Sequence, residues 1–309
     1  MARASRSRRL TSIGDFGRLE LEAAFERADQ ISSDAWPDQS EALQGHTLLT
    51  LFAEPAGPSQ TAYALAGRRL GADVADFPAG ESGGFADALV AAEAMGPDIL
   101  VVRHSAPGAA DFAAERSGAL VIGAGDGARE DPVQALTDAF VLRRRFGALD
   151  GLRVAICGDV LHSRAARSAV GLLNVLNVEV RLAGPPTLLP ADADRWGVDV
   201  FHDLDEALEA CDAVIVLPAP RERISGAFVP SPREYAALYG LTAERLSRAN
   251  PGAVVLHAGP VGRGVEIAAD VADMAEASLI GDQAAAGVAM RMAVLSLMTE
   301  WGGNRMGAA

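Results

Sequence analysis

Apolar positions along this chain follow two alternating periods. Phe16, Leu19, Leu21, Ala24, Phe25 and Ala28 fall at helical spacing, with Asp15 placed to cap the segment. Thr47–Phe52 then reads as a buried strand that ends in the loop Glu54-Pro-Ala-Gly-Pro58. A helical stretch to Leu70 leads into a second strand over Gly71–Phe77, and further short β runs fall at Asp98–Arg103 and Ala119–Gly123. The register restarts at Gly151–Gly158, and strands recur at Glu179–Leu182, Ala213–Leu217 and Ala253–His257. Strand, loop and helix in repetition predict parallel sheets with helices on both faces. The expected fold is therefore α/β, with two doubly wound parallel-sheet domains over residues 1–146 and 147–283 and a last helix, 284–309, packing back on the first. Ligands of such sheets sit beyond the carboxyl ends of the strands, so the loops after residues 52, 102, 123, 157, 217 and 257 are where chemistry is expected.

Composition narrows the choice. A length of 309 residues suits two domains of roughly 150 each. Half the residues are apolar and only 5% aromatic, so the cores must be built from Ala, Val, Leu and Ile. A net charge of −14 argues against a nucleic-acid partner, whose phosphates need a basic surface. All 27 basic residues are arginine, which removes lysine chemistry from consideration. Cys157 and Cys211 form no Cys-x-x-Cys pair, which fits a reducing, cytoplasmic setting and gives no zinc site. No apolar run reaches the ~18–20 residues of a membrane span. The basic start, Met1–Arg9, lacks the apolar stretch of a signal peptide.

Gly158-Asp-Val-Leu-His-Ser-Arg164 follows a strand but lacks the Gly-x-Gly-x-x-Gly spacing of a dinucleotide loop. It belongs to a longer series. Leu182-Ala-Gly-Pro-Pro-Thr187, Pro230-Ser-Pro-Arg-Glu-Tyr235, Gly259-Pro-Val-Gly-Arg-Gly-Val-Glu-Ile267 and Gly287-Val-Ala-Met-Arg-Met-Ala293 come after it in order. Arg103-His104, Ala124-Gly-Asp-Gly127 and Gln134-Ala-Leu136 precede it. Together these resemble the catalytic chain of the aspartate carbamoyltransferase family over about Leu10 to Leu297. The resemblance implies a trimer with active sites between subunits, carbamoyl phosphate on the first domain and aspartate on the second. It implies no metal or organic cofactor, and catalysis by positioning and electrostatic stabilisation.

Several positions depart from the family pattern. The family's phosphate loop, Ser-Thr-Arg-Thr-Arg, is here Ala56-Gly57-Pro58-Ser59-Gln60. Pro58 stands in place of an arginine and removes a backbone donor, and Ser59 is the hydroxyl that survives. Ala79 occupies the place of a lysine on the family's mobile loop. The His-Pro-Thr-Gln motif reads Asp131-Pro-Val-Gln134, which puts a carboxylate where an imidazole polarises the carbonyl. On the aspartate side, Arg-x-Gln becomes Pro218-Ala-Pro220, and His-Pro-Gly-Pro becomes His257-Ala-Gly-Pro260. Arg103 and Gln134 match carbamoyl contacts, and Arg164 matches the clamp on the aspartate α-carboxylate.

Losing two charge-assisted phosphate partners at about 2–5 kcal/mol each points away from ordinary carbamoyl transfer. The expectation is an enzyme redirected to a carboxylate or amino-acid ligand without a phosphate dianion. Arg103, Asp131 and Gln134 would act catalytically, Asp131 as a new general base, with Arg164, Ser59 and His257 at the ligand. Two alternatives stay open. One is an inactive paralogue assembling with pyrimidine-pathway enzymes; the other is a genuine aspartate carbamoyltransferase with a different phosphate grip. The partners expected are a small molecule and further copies of the chain, as a homotrimer or a trimer within a larger complex, with neither nucleic acid nor membrane.

Overall fold

The computed structural model describes residues 9–33, 41–55, 57–78, 84–219 and 231–303. The chain divides into two compact units, residues 1–136 with 285–309, and residues 137–284.

The first unit is built on five strands, β1 (Arg9–Leu10), β2 (Thr47–Phe52), β3 (Asp73–Pro78), β4 (Ile99–His104) and β5 (Leu120–Asp126). Its helices are α1 (Arg18–Ser32), α2 (Gly57–Arg69), α3 (Phe85–Glu93) and α4 (Ala109–Arg116); α5 (Pro132–Phe146) runs on into the second unit. The sheet order is β1-β5-β4-β2-β3, with every pairing parallel. The second unit carries β6 (Arg153–Cys157), β7 (Glu179–Ala183), β8 (Asp199–Phe201), β9 (Ala213–Val216) and β10 (Val254–Leu256), in the order β10-β9-β6-β7-β8 and again parallel throughout. Its helices are α6 (Arg164–Val175), α7 (Leu204–Leu208), α8 (Pro232–Tyr239), α9 (Ala243–Leu246) and α10 (Ala269–Ala272), and α11 (Ile280–Gly303) returns the chain to the first unit.

The apolar runs become strands because both faces of each sheet are covered. In β2, Leu48, Leu49, Leu51 and Phe52 are all buried. Thr50 is the polar exception, and its hydroxyl donates to Asp76 Oδ1 on β3 at 2.6 Å. The edge strand β3 is largely exposed and ends on Pro78, a composition that discourages pairing with another chain. Two expectations need correction. Asp15 does not cap α1: its carboxylate accepts from Thr11 N (2.8 Å) and Ser12 N (3.0 Å), closing a short turn, and α1 starts after Gly17. β5 runs on to Asp126, because His104 of β4 pairs with Asp126 across a register shift.

The last helix packs on the first unit. Met290, Ala293, Val294, Leu297 and Met298 of α11 are buried. Arg27 of α1 binds Glu300 with both terminal nitrogens, at 2.8 and 3.1 Å, and the Phe16 ring meets the Trp301 ring edge-on at 5.6 Å. Among the described residues no helix is long and apolar enough to cross a membrane.

Candidate active site

Strand order locates the site in each unit. In the first sheet the chain proceeds from β2 to β3 on one side and then to β4 on the other, so β2 and β4 flank a topological switch point. Glu54 follows β2, and Arg103 lies in β4 beside Phe52. Arg103 Nε lies 2.8 Å from Glu54 Oε1, and a terminal nitrogen donates to the Ala124 carbonyl at 3.0 Å. Both side chains of the pair are mostly buried. The guanidinium is thus held from two sides at the carboxyl end of the sheet.

Ser59 and Gln60 are half-buried in the first turns of α2, and Pro58 is exposed there. Gln60 leans towards the strands, with Nε2 3.5 Å from Thr50 Oγ1. One turn beyond Ser59, Tyr63 is fully buried. Burial drives its pKa well above the ordinary tyrosine value; Arg291 and Arg103 oppose the shift and Asp131 adds to it. Asp131 directly precedes α5, and its carbonyl accepts from Ala135 N at 3.3 Å. Pro132 then occupies the first helical position, where a missing N–H is not needed, and the helix N-terminus favours a carboxylate beside it. Gln134 lies half-buried in the first turn of α5. Asp126, within the Ala124-Gly-Asp-Gly127 stretch, is buried and accepts from Gly108 N and Ala109 N, so it caps α4. His104 accepts from Ala106 N at 2.8 Å and meets the Phe85 ring edge-on, which makes it part of the same turn.

In the second sheet β6 and β9 flank the switch point. Gly158, just past β6, has φ +128°, and a Cβ there would stand 3.0 Å from Leu217 Cβ and 3.1 Å from the Tyr235 hydroxyl. Glycine therefore lets the chain turn sharply into the loop. His162 Nδ1 lies 2.8 Å from Asp159 Oδ1, and Ser163 caps α6 by accepting from Ala166 N. Arg164 is the first residue of α6. The helix dipole opposes a cation there, so this position makes sense for a residue that binds an anion. Pro218 is half-buried after β9.

His257 follows β10 with its side chain fully buried. Gly259 N can only donate, and it reaches His257 Nδ1 at 2.8 Å. The ring proton is therefore on Nε2, which donates to Glu266 Oε1 at 3.3 Å. Burial works against ionisation of Glu266, but the His257 contact and the Gly262 amide outweigh it and hold the carboxyl below its usual range. The His257 backbone N donates to Gln283 Oε1, and Gln283 in turn donates to Asp138. With both ring nitrogens engaged, the His257 side chain supports the following turn and is not itself presented to a ligand. The expected positions Ala56, Ala79 and Pro220 lie outside the described residues.

The structure therefore gathers Glu54, Arg103, Ser59, Tyr63, Asp131 and Gln134 in one unit, and Asp159, His162, Arg164 and Pro218 in the other. Glu54 and Tyr63 had no sequence signal as site residues. The first ends a buried run before a Pro/Gly loop, and the second sits at an ordinary apolar helical position.

Comparison with known proteins fits this layout. Residues 8–144 match the family model "Aspartate/ornithine carbamoyltransferase, carbamoyl-P binding domain", and residues 150–298 match "Aspartate/ornithine carbamoyltransferase, Asp/Orn binding domain". The aspartate carbamoyltransferase catalytic subunit of Maricaulis maris is 50% identical over 298 residues, 94% of this chain and 93% of the relative. That of Caulobacter vibrioides is 53% identical over 261 residues, 82% of this chain and 78% of the relative. Aspartate transcarbamoylase from Trypanosoma cruzi, solved with carbamoyl aspartate and phosphate, superposes with a TM-score of 0.81 at 27% identity, covering 94% of this chain and 95% of that one. The expectation of an enzyme turned away from carbamoyl phosphate is overturned by these relatives. Half-identity across nearly the whole chain to catalytic subunits supports the alternative of a genuine carbamoyltransferase instead. By these matches the chain belongs to the aspartate/ornithine carbamoyltransferase family.

Proposed function

We propose that this protein transfers the carbamoyl group of carbamoyl phosphate to the α-amine of aspartate, yielding carbamoyl aspartate and phosphate. The observation that carries the reading is near-full-length half-identity to an aspartate carbamoyltransferase catalytic subunit. The switch-point positions of Arg103 and Arg164 support it. In the reaction the amine nitrogen attacks the carbamoyl carbon and negative charge builds on the carbonyl oxygen. The C–O bond to phosphorus then breaks, phosphate leaves with that bond's electron pair, and the amine proton passes to phosphate or water. Arg103 and Gln134 donate to the carbonyl oxygen, where charge develops. Ser59 and the N-terminus of α2 face the phosphate, and Arg164 clamps the α-carboxylate in two-pronged fashion. His257 fixes the turn beside the amine. Asp131, ordered by α5, replaces a polarising imidazole, so the phosphate side is weaker than the family pattern and the KM for carbamoyl phosphate is raised. The active assembly is a homotrimer.

The test is formation of carbamoyl aspartate from the two substrates, with ornithine as the alternative acceptor. Saturable turnover with aspartate is expected. Absence of product at millimolar carbamoyl phosphate, or preference for ornithine, overturns the reading. Sedimentation should give three copies, and a monomer at micromolar concentration refutes the trimer.

A further inference from the structure

Two buried polar groups of the first unit meet each other with donors left over and no anion between them. The Tyr63 hydroxyl is shielded from water, and its one polar side-chain neighbour by hydrogen bonding is Arg291, itself a donor, while Arg291 Nε reaches no acceptor among the described residues. The Arg291 guanidinium lies 4.8 Å from the centre of the Tyr63 ring, and one terminal nitrogen donates to the Gly287 carbonyl of its own helix at 2.8 Å. Arg291 is only 7% exposed, yet among the described residues no carboxylate pairs with it. A buried guanidinium without an anion, beside a buried hydroxyl without an acceptor, is an arrangement that folding alone disfavours. Both groups can donate to an anionic oxygen.

Their surroundings identify the ligand class. Arg103 and Asp131 are the other charged groups that bear on Tyr63. Ser59 lies one helical turn before Tyr63, so the two hydroxyls share a face of α2, with Ser59 nearer the helix N-terminus. We propose that Tyr63 and Arg291 supply the phosphate grip of this chain, donating from beneath α2 to the dianion of carbamoyl phosphate. The inference rests on the carbamoyl-transfer reading above. It accounts for how a chain with proline at position 58 and no lysine can still hold a phosphate.

Tyr63→Phe is the decisive variant, because it removes one oxygen and keeps the shape that packs the core. Binding of inorganic phosphate is measured calorimetrically and by thermal shift, and KM is measured for each substrate. The expected result is a Tyr63→Phe protein close to wild type in stability without phosphate, because the lost contact with Arg291 is offset by removal of a buried hydroxyl proton that has no acceptor. Its phosphate affinity should fall about tenfold or more, the ordinary worth of a hydrogen bond to a charged group. KM for carbamoyl phosphate should rise in parallel while KM for aspartate stays unchanged. Arg291→Gln should weaken phosphate binding further. If wild type and Tyr63→Phe bind phosphate equally while carbamoyl aspartate is still made, this inference falls alone and a buried water satisfies the pair. If wild type neither binds phosphate nor makes product, both readings fall.

Discussion

Glu54 and Arg103 are neighbours only through the sheet: their side chains meet at 2.8 Å because β2 and β4 run side by side in parallel, pairing Phe52 with Arg103. The carboxylate holds the guanidinium in place and also neutralises part of its charge. Glu54→Gln keeps an acceptor of the same shape but removes the charge. It should lower stability by about 1–3 kcal/mol in urea unfolding, with kcat reduced because Arg103 is less firmly aimed. An unchanged unfolding midpoint would show that the pair contributes nothing to the fold.

Pro58 is exposed in the first turn of α2, so a long side chain fits there without displacing the core. Pro58→Arg should add a forked phosphate donor and lower KM for carbamoyl phosphate by at least about tenfold, given about 2–5 kcal/mol for a charge-assisted contact. Asp131→His should raise kcat by adding a donor beside the carbonyl. Steady-state kinetics of both variants decide this, and a rise in KM for Pro58→Arg would count against Ser59 and α2 as the phosphate side.

Arg164 opens α6, where the dipole makes a cation unfavourable. Arg164→Ala should raise KM for aspartate at least about tenfold while the chain still folds. Loss of the fold in circular dichroism would mean that the residue is structural.

Glu266 is held ionised in the folded state below its usual range. Its contribution to stability is fully present above the unfolded glutamate pKa of about 4.3 and is lost as pH falls through the lower folded value. Glu266→Gln should be clearly destabilised at pH 7, and the gap to wild type should close in acid. Urea titrations at several pH values measure it, and a gap that widens on acidification contradicts the assigned direction.

The thiols should be inert. Burial pushes Cys157 far up and Cys211 up to about 11, and Cys211 Sγ lies 3.1 Å from the Ala207 carbonyl. Neither should react with a thiol reagent at pH 8 over minutes, and both should react once urea unfolds the chain. Rapid labelling of the native protein would show that the second unit opens locally.

Long strands were readable in the sequence because a parallel strand buried on both faces leaves an uninterrupted apolar run. Leu48–Phe52 and Ala213–Val216 are examples. The two-residue β1 and three-residue β8 left no period to detect. Asp126 and Glu54 could not be placed from spacing, since strand order brings them to their partners. Tyr63 was hidden because its ring obeys the helical apolar pattern and only its hydroxyl breaks it. The functional expectation failed for a related reason. Counting each altered contact as an independent loss assumes that the rest of the site stays fixed, whereas residues acting as a unit do not add.

The first unit is discontinuous, since residues 285–309 complete it after the whole of the second has been threaded. During synthesis the second unit can finish as soon as its last strand and helices leave the ribosome. The first must wait with the apolar surface meant for Met290, Val294 and Met298 uncovered. A chain ended at residue 284 and released from the ribosome should thus show protease resistance in the later half but not in the earlier one, the reverse of the usual N-terminal-first order. Chaperone dependence should then fall on the unit that was made first.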